Sequence, residues 1–335
     1  MNRVFLLILM ALITILCHRN PLKIDVSGIE LDLKIKRLDL DLFKVTPDNA
    51  NTKIPELRKE YGKFFDAYNK DILAIGSPSD SLYPKYLNSF LSDSMRIQSR
   101  MKIDSVFKDL SQIQKRLEDG FKHYRYYFPQ KTVPQVIAIL SGFNQSVALN
   151  NEAIGISLDN YLGSDCRFYS MLGVAQYKRE NMHSGKIPFD VLYSWAISEF
   201  EFDESKTTLI SNMVYYGKMM YFLDAMFPDE PDYLKIGYQP EKLEWCIKNE
   251  SGMWTYLIEH KLLFNSERMN IVRFIGPAPF TSTFTNESPG RTGIWLGWQI
   301  VKQYMKKNPG VTLPALMADN DYQRILNESG YSPDY

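Results

Sequence analysis

Histidine and the common catalytic motifs are scarce in this sequence. Its four histidines are His18, His123, His183 and His260. No two of them stand four residues apart, so the H-E-x-x-H helix of zinc peptidases is absent. The G-x-S-x-G elbow of serine hydrolases, the P-loop and the G-x-G-x-x-G turn are missing as well. We therefore predict no metal, no cofactor and no catalytic residue.

The sequence also has few cysteines and no net charge. The sequence has three cysteines, of which Cys166 and Cys246 stand far from the N-terminus. These two either form one disulfide or remain two buried thiols, and the sequence leaves both possibilities open. Lys plus Arg and Asp plus Glu both number 39. This balance excludes the positive field that nucleic-acid binding needs, so we expect no nucleic-acid partner.

The N-terminus carries the pattern of a lipoprotein signal. Arg3 precedes an apolar run from Val4 to Leu16, and Cys17 follows directly. A helix of this run would measure roughly 20 Å, short of the ~30 Å hydrocarbon core, which favours a cleaved signal over a spanning anchor. We predict a signal peptide at 1–16 and a lipidated tether at 17–23. Leu16 is bulky for a residue before the lipidated cysteine, and the alternative is a differently processed signal in which Cys17 is incidental.

The rest of the chain predicts an α+β domain that is mostly α-helical. The period-two pattern from Ile24 to Phe43 predicts two short antiparallel strands. The apolar run 133–140 predicts a further strand whose partner is 152–158. We therefore expect a single large globular domain at 24–335, with a small β-sheet and many helices.

Apolar residues at helical spacing place the helices. In the N-terminal half, Pro55 is expected at the start of one helix, and Asp104 is expected to cap another that stops at Pro129. In the C-terminal half, the predicted helices are Phe168 to Tyr177, Phe189 to Phe200, Lys206 to Phe227, Pro240 to Leu263, Ser266 to Ile275 and Gly290 to Lys307.

One polar segment stands out as a candidate pocket. Asn286 and Glu287 precede Arg291, which begins a helix that carries Trp295 and Trp298. Polar groups at a helix start with a guanidinium and two indoles are suited to binding an anion or a peptide. The alternative is a capped helix in which Arg291 is paired with a carboxylate and both indoles lie in the core.

Several blocks of the sequence resemble a known family. They are KRLDLDLF, GISLDNYLG, YYGKMMYFLDAMFPDEPD, KIGYQPEKLEWC, NESGMWTYLIEHKLLF and NESPGRTGIWLGWQIVKQYM. From about Ile35 to Met305 the chain resembles the gliding-motility-associated lipoprotein GldB family of the Bacteroidota. The resemblance implies an outer-envelope lipoprotein that gliding members need for movement, with no established biochemical activity.

The family is in turn distantly similar to zinc-dependent peptidases. That comparison implies a degenerate zincin-like metallopeptidase fold, with the metal helix at Met213 to Phe222. The chain has no histidine there, so the Lewis acid that activates water would be lost. Glu250 and Arg291 would remain from the second and third elements of such a site, and Glu250 therefore joins the candidate pocket.

The resemblance implies a non-catalytic envelope lipoprotein, a pseudoenzyme associated with gliding motility or a related envelope machine. Its expected partners are the membrane, through the N-terminal lipid, and envelope proteins. Because His18, Arg19 and Asn20 lack an acidic run, we expect an outer-membrane anchor and a periplasm-facing domain. The alternatives are a peptidase-like hydrolase that uses Glu250 and Arg291, and a glycan-binding outer-membrane lipoprotein.

The lipid anchor gives a first prediction. Replacement of the acylated thiol in Cys17→Ala is expected to release the protein from the membrane fraction, because nothing else in the sequence is long and apolar enough to hold it there. Cell fractionation and mass spectrometry of the mature N-terminus measure this. A variant that stays on the membrane and keeps its first sixteen residues would show an uncleaved anchor instead.

Overall fold

The computed structural model describes residues 20–333. The predicted signal peptide at 1–16, the lipidation site Cys17 and the tether up to residue 19 lie outside the described residues. Within 20–333, no helix combines the length and the apolar character needed to cross a bilayer.

The chain before the sheet is extended, but it does not form a strand pair. The predicted antiparallel pair from Ile24 to Phe43 is wrong: only Ile35–Arg37 (β1) is a strand, and helix Leu38–Asp41 (α1) follows it directly. Alternate residues from Leu22 to Leu33 are nevertheless partly or fully buried, and those between them are mostly exposed. An extended chain that lies on one apolar surface acquires this period-two pattern without any ladder partner.

The sheet has four strands in the order β1-β2-β4-β3. Gln135–Ile139 (β2) pairs in parallel with Ala153–Ser157 (β4), which confirms the predicted pairing of 133–140 with 152–158. Val147–Leu149 (β3) lies between them in sequence and pairs antiparallel with β4, and β1 pairs in parallel with β2. β4 is buried throughout and β2 over its last four residues, as expected for central parallel strands with apolar runs.

Further helices follow α1 in the N-terminal half of the described chain. They are Ala50–Tyr61 (α2), Lys63–Ala67 (α3), Tyr83–Ser92 (α4), Ser94–Val106 (α5) and Ser111–Tyr127 (α6), with a π-helical turn at Tyr68–Ile72. Two predicted helix starts are wrong. Pro55 lies inside α2, and Asp104 lies in the last turn of α5. The start of α6 is instead fixed by Asp109, whose carboxylate accepts from the backbone N–H and the hydroxyl of Ser111.

The C-terminal half of the described chain consists of helices joined by turns and loops. Its helices are Arg167–Met171 (α7), Gln176–Arg179 (α8), Ile187–Glu199 (α9), Leu209–Met226 (α10), Asp232–Ile236 (α11), Pro240–Lys248 (α12), Glu250–Glu259 (α13), Arg268–Ile275 (α14), Thr292–Lys307 (α15), Leu313–Ala318 (α16) and Tyr322–Ser329 (α17). Helices α9, α10, α14 and α15 were predicted to within a few residues. The single helices predicted at 168–177 and 240–263 are each two helices, interrupted at Gly173 (φ 68°) and Asn249.

Helices make up 57% of the structure and the sheet is small and mixed, which confirms a mostly helical α+β class. The zincin-like relationship stays a prediction.

The central helix of the fold is α10. A capping box begins it: the Thr208 hydroxyl accepts from the Ser211 N–H, and the Ser211 hydroxyl accepts from the Thr208 N–H. Its residues are buried on every side except for the partly exposed Tyr216. A helix that is apolar all round belongs in the centre of a packed core.

Two glycines let α10 and α15 approach each other closely. A Cβ on Gly217 would overlap the backbone of Gly297, and a Cβ on Gly297 would overlap the carbonyl oxygen of Met213. Both glycines lie inside helices, where glycine lowers stability relative to alanine. In return, the two helix backbones come into direct contact. The crossing sets the distance between the two longest helices of the C-terminal half.

The crossing gives a second prediction. Gly297→Ala is expected to lower the free energy of unfolding by about 2 kcal/mol or more, because the new methyl group meets backbone that cannot rotate away. Gly252→Ala in the exposed part of α13 is the matched control, since nothing lies within 4 Å of its Cβ position. It should be neutral or stabilising by up to about 1 kcal/mol. Denaturant unfolding measures both variants, and equal effects would contradict the role of the crossing.

Candidate functional site

A cavity of about 330 Å³ opens beside the N-terminal end of α15. Five segments line it, with residues from the ranges 177–181, 186–193, 235–242, 277–279 and 289–291, and Met220 of α10 closes its inner side. The cavity therefore lies where the ends of several helices meet two loops, and the core helices α10 and α15 fix its position.

The two loops at the mouth of the cavity are held together by backbone contacts. The backbone of Gly290 lies so close to Ala278 that a Cβ would overlap the Ala278 carbonyl oxygen. Tyr238 donates its hydroxyl to the Gly290 carbonyl at 2.7 Å, and Thr281 donates both its backbone N–H and its hydroxyl to the Pro289 carbonyl at 2.9 Å. These bonds leave little freedom in the loop that leads into Arg291.

Arg291 is the N-cap of α15 and projects into this cavity. It has a left-handed backbone (φ 61°), and its Nη2 donates to the Ile236 carbonyl at 2.7 Å. The guanidinium carbon lies 5.7 Å from the centre of the Tyr238 ring. Among residues 20–333, no carboxylate lies within ion-pair distance of Arg291. Its remaining N–H groups are therefore available to a ligand.

Lys186 is a second cation of the cavity wall, and it is buried. Its Nζ donates to the carbonyls of Leu234 and Lys235 at 3.1 and 2.9 Å and lies 3.4 Å from the carboxylate of Asp190. Burial lowers the pKa of Lys186, Asp190 opposes this, and nearby Arg291 adds to it. The bonds of Lys186 hold the C-terminal end of α11 against the start of α9.

Lys242 fixes the loop that contains two residues of the predicted pocket. Its Nζ donates to the backbone carbonyls of Asn286, Glu287 and Ser288 at 3.1, 2.9 and 3.1 Å. The side chains of Asn286 and Glu287 are exposed, and neither residue lines the cavity. Their contribution to the site is the backbone that Lys242 binds.

The two tryptophans lie in the core. Trp295 and Trp298 are 2% and 0% exposed, so neither indole faces the cavity. Trp298 Nε1 donates to Asp224 at 2.7 Å, and Lys302 Nζ lies 3.8 Å from the centre of the Trp298 ring.

Asp224 also binds Lys235, whose Nζ lies 2.8 Å from it. Burial raises the pKa of Asp224, and Lys302 and Lys235 oppose the rise.

Glu250 and Arg291 contact different residues. Its carboxylate accepts from the Tyr331 hydroxyl at 2.5 Å, and it is absent from the cavity wall. Burial and this carboxylate raise the pKa of Tyr331. Of the six predicted pocket residues, only Arg291 contributes its side chain to the cavity.

The segment Met213 to Phe222, where the resemblance places a metal helix, lies inside α10. In the part of the chain that the structure describes, no group of three or more His, Cys, Asp and Glu side chains is arranged to hold a metal ion. Lys218 instead donates its Nζ to the carbonyls of Met317 and Asp319 at 3.2 and 2.6 Å, at the C-terminal end of α16. A cation is favourable there because helix carbonyls are unpaired at that end.

Several cavity residues were not identified from the sequence. The tyrosines Tyr193 and Tyr238, the cations Lys186 and Lys242, and Asp190 all line the wall. One signal was readable: Lys186 and Asp190 stand four residues apart at the start of a predicted helix, a spacing that pairs charges. Tyr193 lies in the same segment, whereas Tyr238 and Lys242 come from a distant one, and only the folded chain shows that the two segments meet.

The remaining two cysteines are Cys166 and Cys246. Both are free, buried thiols in the structure. Burial raises the pKa of the Cys246 thiol, with a smaller contribution from Glu250. The sequence left open a disulfide or two buried thiols, and the structure contains two buried thiols.

The chain matches the sequence model of a known protein family. The sequence model of the family described as gliding motility protein GldB matches residues 19–333. No curated protein and no solved structure matches the chain significantly.

Lys218 gives a third prediction, on pH dependence. Burial lowers the pKa of Lys218 from 10.5 to about 8. Between these pH values the unfolded chain keeps a proton that the folded protein has released, so stability rises with pH, by about 3 kcal/mol at most. Urea unfolding at pH 8 and pH 10 measures the rise.

The rise is expected to be smaller in Lys218→Met, which has no group to titrate. Lys306→Met, at an exposed position of α15, is the control and should behave as the wild type does. An unchanged pH dependence in Lys218→Met would show that Lys218 keeps its ordinary pKa.

Proposed function

The chain belongs to the GldB family of gliding motility proteins, and from this premise we propose that it is a non-catalytic lipoprotein that supports an envelope machine. It acts by binding other envelope proteins through its helical domain, in gliding or in a related envelope process. The N-terminal lipid holds it at the outer membrane, with the domain facing the periplasm.

The observation that carries this proposal is the burial of α10. If the resemblance to zinc peptidases holds, the corresponding helix of an active relative would supply metal ligands. Here Gly217 packs against Gly297, Lys218 binds backbone carbonyls, and Met213 and Met219 are fully buried. These residues serve packing, and Met213, Lys218 and Met219 are at most 1% exposed, so none of the three faces a cleft.

The contacts of Glu250 also favour a scaffold over a hydrolase. A hydrolase that uses Glu250 and Arg291 needs both groups within reach of one substrate atom. Arg291 lines the cavity, whereas Glu250 is bonded to Tyr331 and lies outside the lining. No observation on the described residues favours the glycan-binding alternative.

The start of the described chain suits a short membrane tether. Asn20 Nδ2 donates to the Pro228 carbonyl at 3.1 Å, and Lys23 Nζ lies 2.7 Å from Asp229. If Cys17 carries the lipid, only three residue steps separate it from Asn20, a reach of about 10 Å. The domain would then lie directly on the membrane surface, with Pro228 and Asp229 on the near side.

Genetic complementation gives a fourth prediction. In a gliding host, deletion of the gene is expected to abolish spreading on agar, and Glu250→Gln is expected to restore it fully. The amide oxygen of glutamine still accepts a hydrogen bond from Tyr331 but cannot act as a general base. Cys17→Ala serves as the matched negative control, because it changes only the tether.

The amounts of each variant are compared by immunoblot. Full motility after deletion would contradict a role in gliding. A well-expressed Glu250→Gln variant that fails to glide would favour the hydrolase, and metal analysis of protein purified without chelator would then be decisive.

A further inference from the structure

Arg291 is a partly buried cation without an acidic partner among the described residues. One of its N–H groups donates to the Ile236 carbonyl, and Nε and Nη1 make no hydrogen bond within residues 20–333. Removing a guanidinium from water is costly unless charge or hydrogen bonds compensate. A site of this kind is complementary to an anion that brings two oxygens.

The cavity around Arg291 carries an excess of positive charge. Its wall holds five cations and two carboxylates, namely Lys178, Lys186, Lys235, Lys242 and Arg291 against Glu180 and Asp190. Lys235 is paired with Asp224 and Asp232, which lie outside the wall, and Lys186 is paired with Asp190. Lys178, Lys242 and Arg291 against Glu180 are the excess that remains. The whole chain is balanced at 39 of each sign, so the excess is a local property of the cavity. A positive cavity with low-polarity walls raises the local concentration of anions.

Much of the rest of the wall is apolar, and the amides of Asn181 and Gln239 also line it. Three tyrosines and three prolines contribute to it, namely Tyr177, Tyr193, Tyr238, Pro277, Pro279 and Pro289. Such surfaces contact an organic group better than they contact a bare inorganic ion. The volume of about 330 Å³ lies at the lower end of the range for ligand pockets, which indicates a small ligand.

From this arrangement we propose that the cavity binds a small organic carboxylate. The two carboxylate oxygens accept from the guanidinium of Arg291, and the organic group lies against the tyrosine and proline faces. The carboxylate belongs either to the C-terminus of a peptide or to a free small acid. This proposal goes beyond the scaffold function and does not depend on it.

The donors that are already occupied favour a carboxylate over phosphate. Lys186 is bonded to two backbone carbonyls, Lys242 to three, and Lys235 to Asp224. One guanidinium with free donors matches the two oxygens of a carboxylate. Lys178 also keeps its donors but is exposed, so a third phosphate oxygen would find only this solvated ammonium group beyond the guanidinium.

Calorimetric titration of the full-length, detergent-solubilised lipoprotein tests the proposal. The probes are N-acetyl-Ala-Tyr with a free C-terminus, the same dipeptide as its C-terminal amide, phenylacetate and inorganic phosphate. At least one free carboxylate is expected to bind, and the amide and phosphate are expected to bind more weakly by about tenfold or more. Binding of the dipeptide alone identifies a peptide C-terminus, and tighter binding of phenylacetate identifies a small acid.

Three variants assign the binding to Arg291. Arg291→Met is expected to abolish it, and Arg291→Lys to weaken it by about tenfold or more, because an ammonium group offers no planar fork. Arg268→Met, at an exposed position of α14, should bind as the wild type does. Thermal unfolding checks that each variant is folded.

The wild-type comparison of acid with amide needs no variant, so it tests the proposal even if Arg291→Met is unstable. Failure of both carboxylates to bind at millimolar concentration, equal binding of the amide, or tighter binding of phosphate would each overturn the proposal. Spreading assays are a separate readout, so failure here leaves the scaffold proposal to its own test.

Discussion

The contact between Gly217 and Gly297 is the constraint on which the C-terminal half depends. With no side chain at either position, the backbones of α10 and α15 meet directly. This approach brings Trp298 of α15 to Asp224 of α10. It also places Arg291, the N-cap of α15, in the cavity wall to which Met220 of α10 contributes. A larger residue at the crossing would move the cavity wall as well as the core. Packing and site geometry therefore rest on the same two residues.

A buried cluster of charged side chains fixes the relative orientation of the packed helices. Asp224 accepts from the Trp298 indole and from Lys235, and Lys302 lies 3.7 Å away. Charges buried in this way gain little net stability, because desolvation offsets their attraction. They do penalise every arrangement in which one partner is missing. The cluster joins α10, α11 and α15 and so fixes the orientation of α11, whose last residue, Ile236, binds Arg291.

The sequence was sufficient for elements whose pattern is local. The long helices α9, α10 and α15 and the paired strands β2 and β4 have strong apolar periodicity, and they were predicted. The period-two segment after Ile24 was misinterpreted, because an extended chain on an apolar surface and a paired strand bury alternate residues alike.

The site was less accessible to prediction than the fold. Arg291 was identified from its place at a helix start. Most of the other cavity residues come from five further parts of the chain, and nothing local in the sequence indicates that these parts meet. The indoles Trp295 and Trp298 had two interpretations in the sequence, and only packing distinguishes an aromatic pocket from an aromatic core.

The strained backbone of Arg291 lowers stability but keeps the guanidinium in the cavity wall. A left-handed conformation costs a residue with a Cβ about 1 kcal/mol, and glycine or asparagine usually occupies it. Arg291 is held there by Gly290 against Ala278 on one side and by its own bond to Ile236 on the other. A glycine would relieve the strain but would carry no guanidinium, and an arginine with ordinary dihedrals would leave the cavity wall. Strain kept at a cation with free donors, in a cavity with an excess of positive charge, is more consistent with a recognition site than with a helix cap alone.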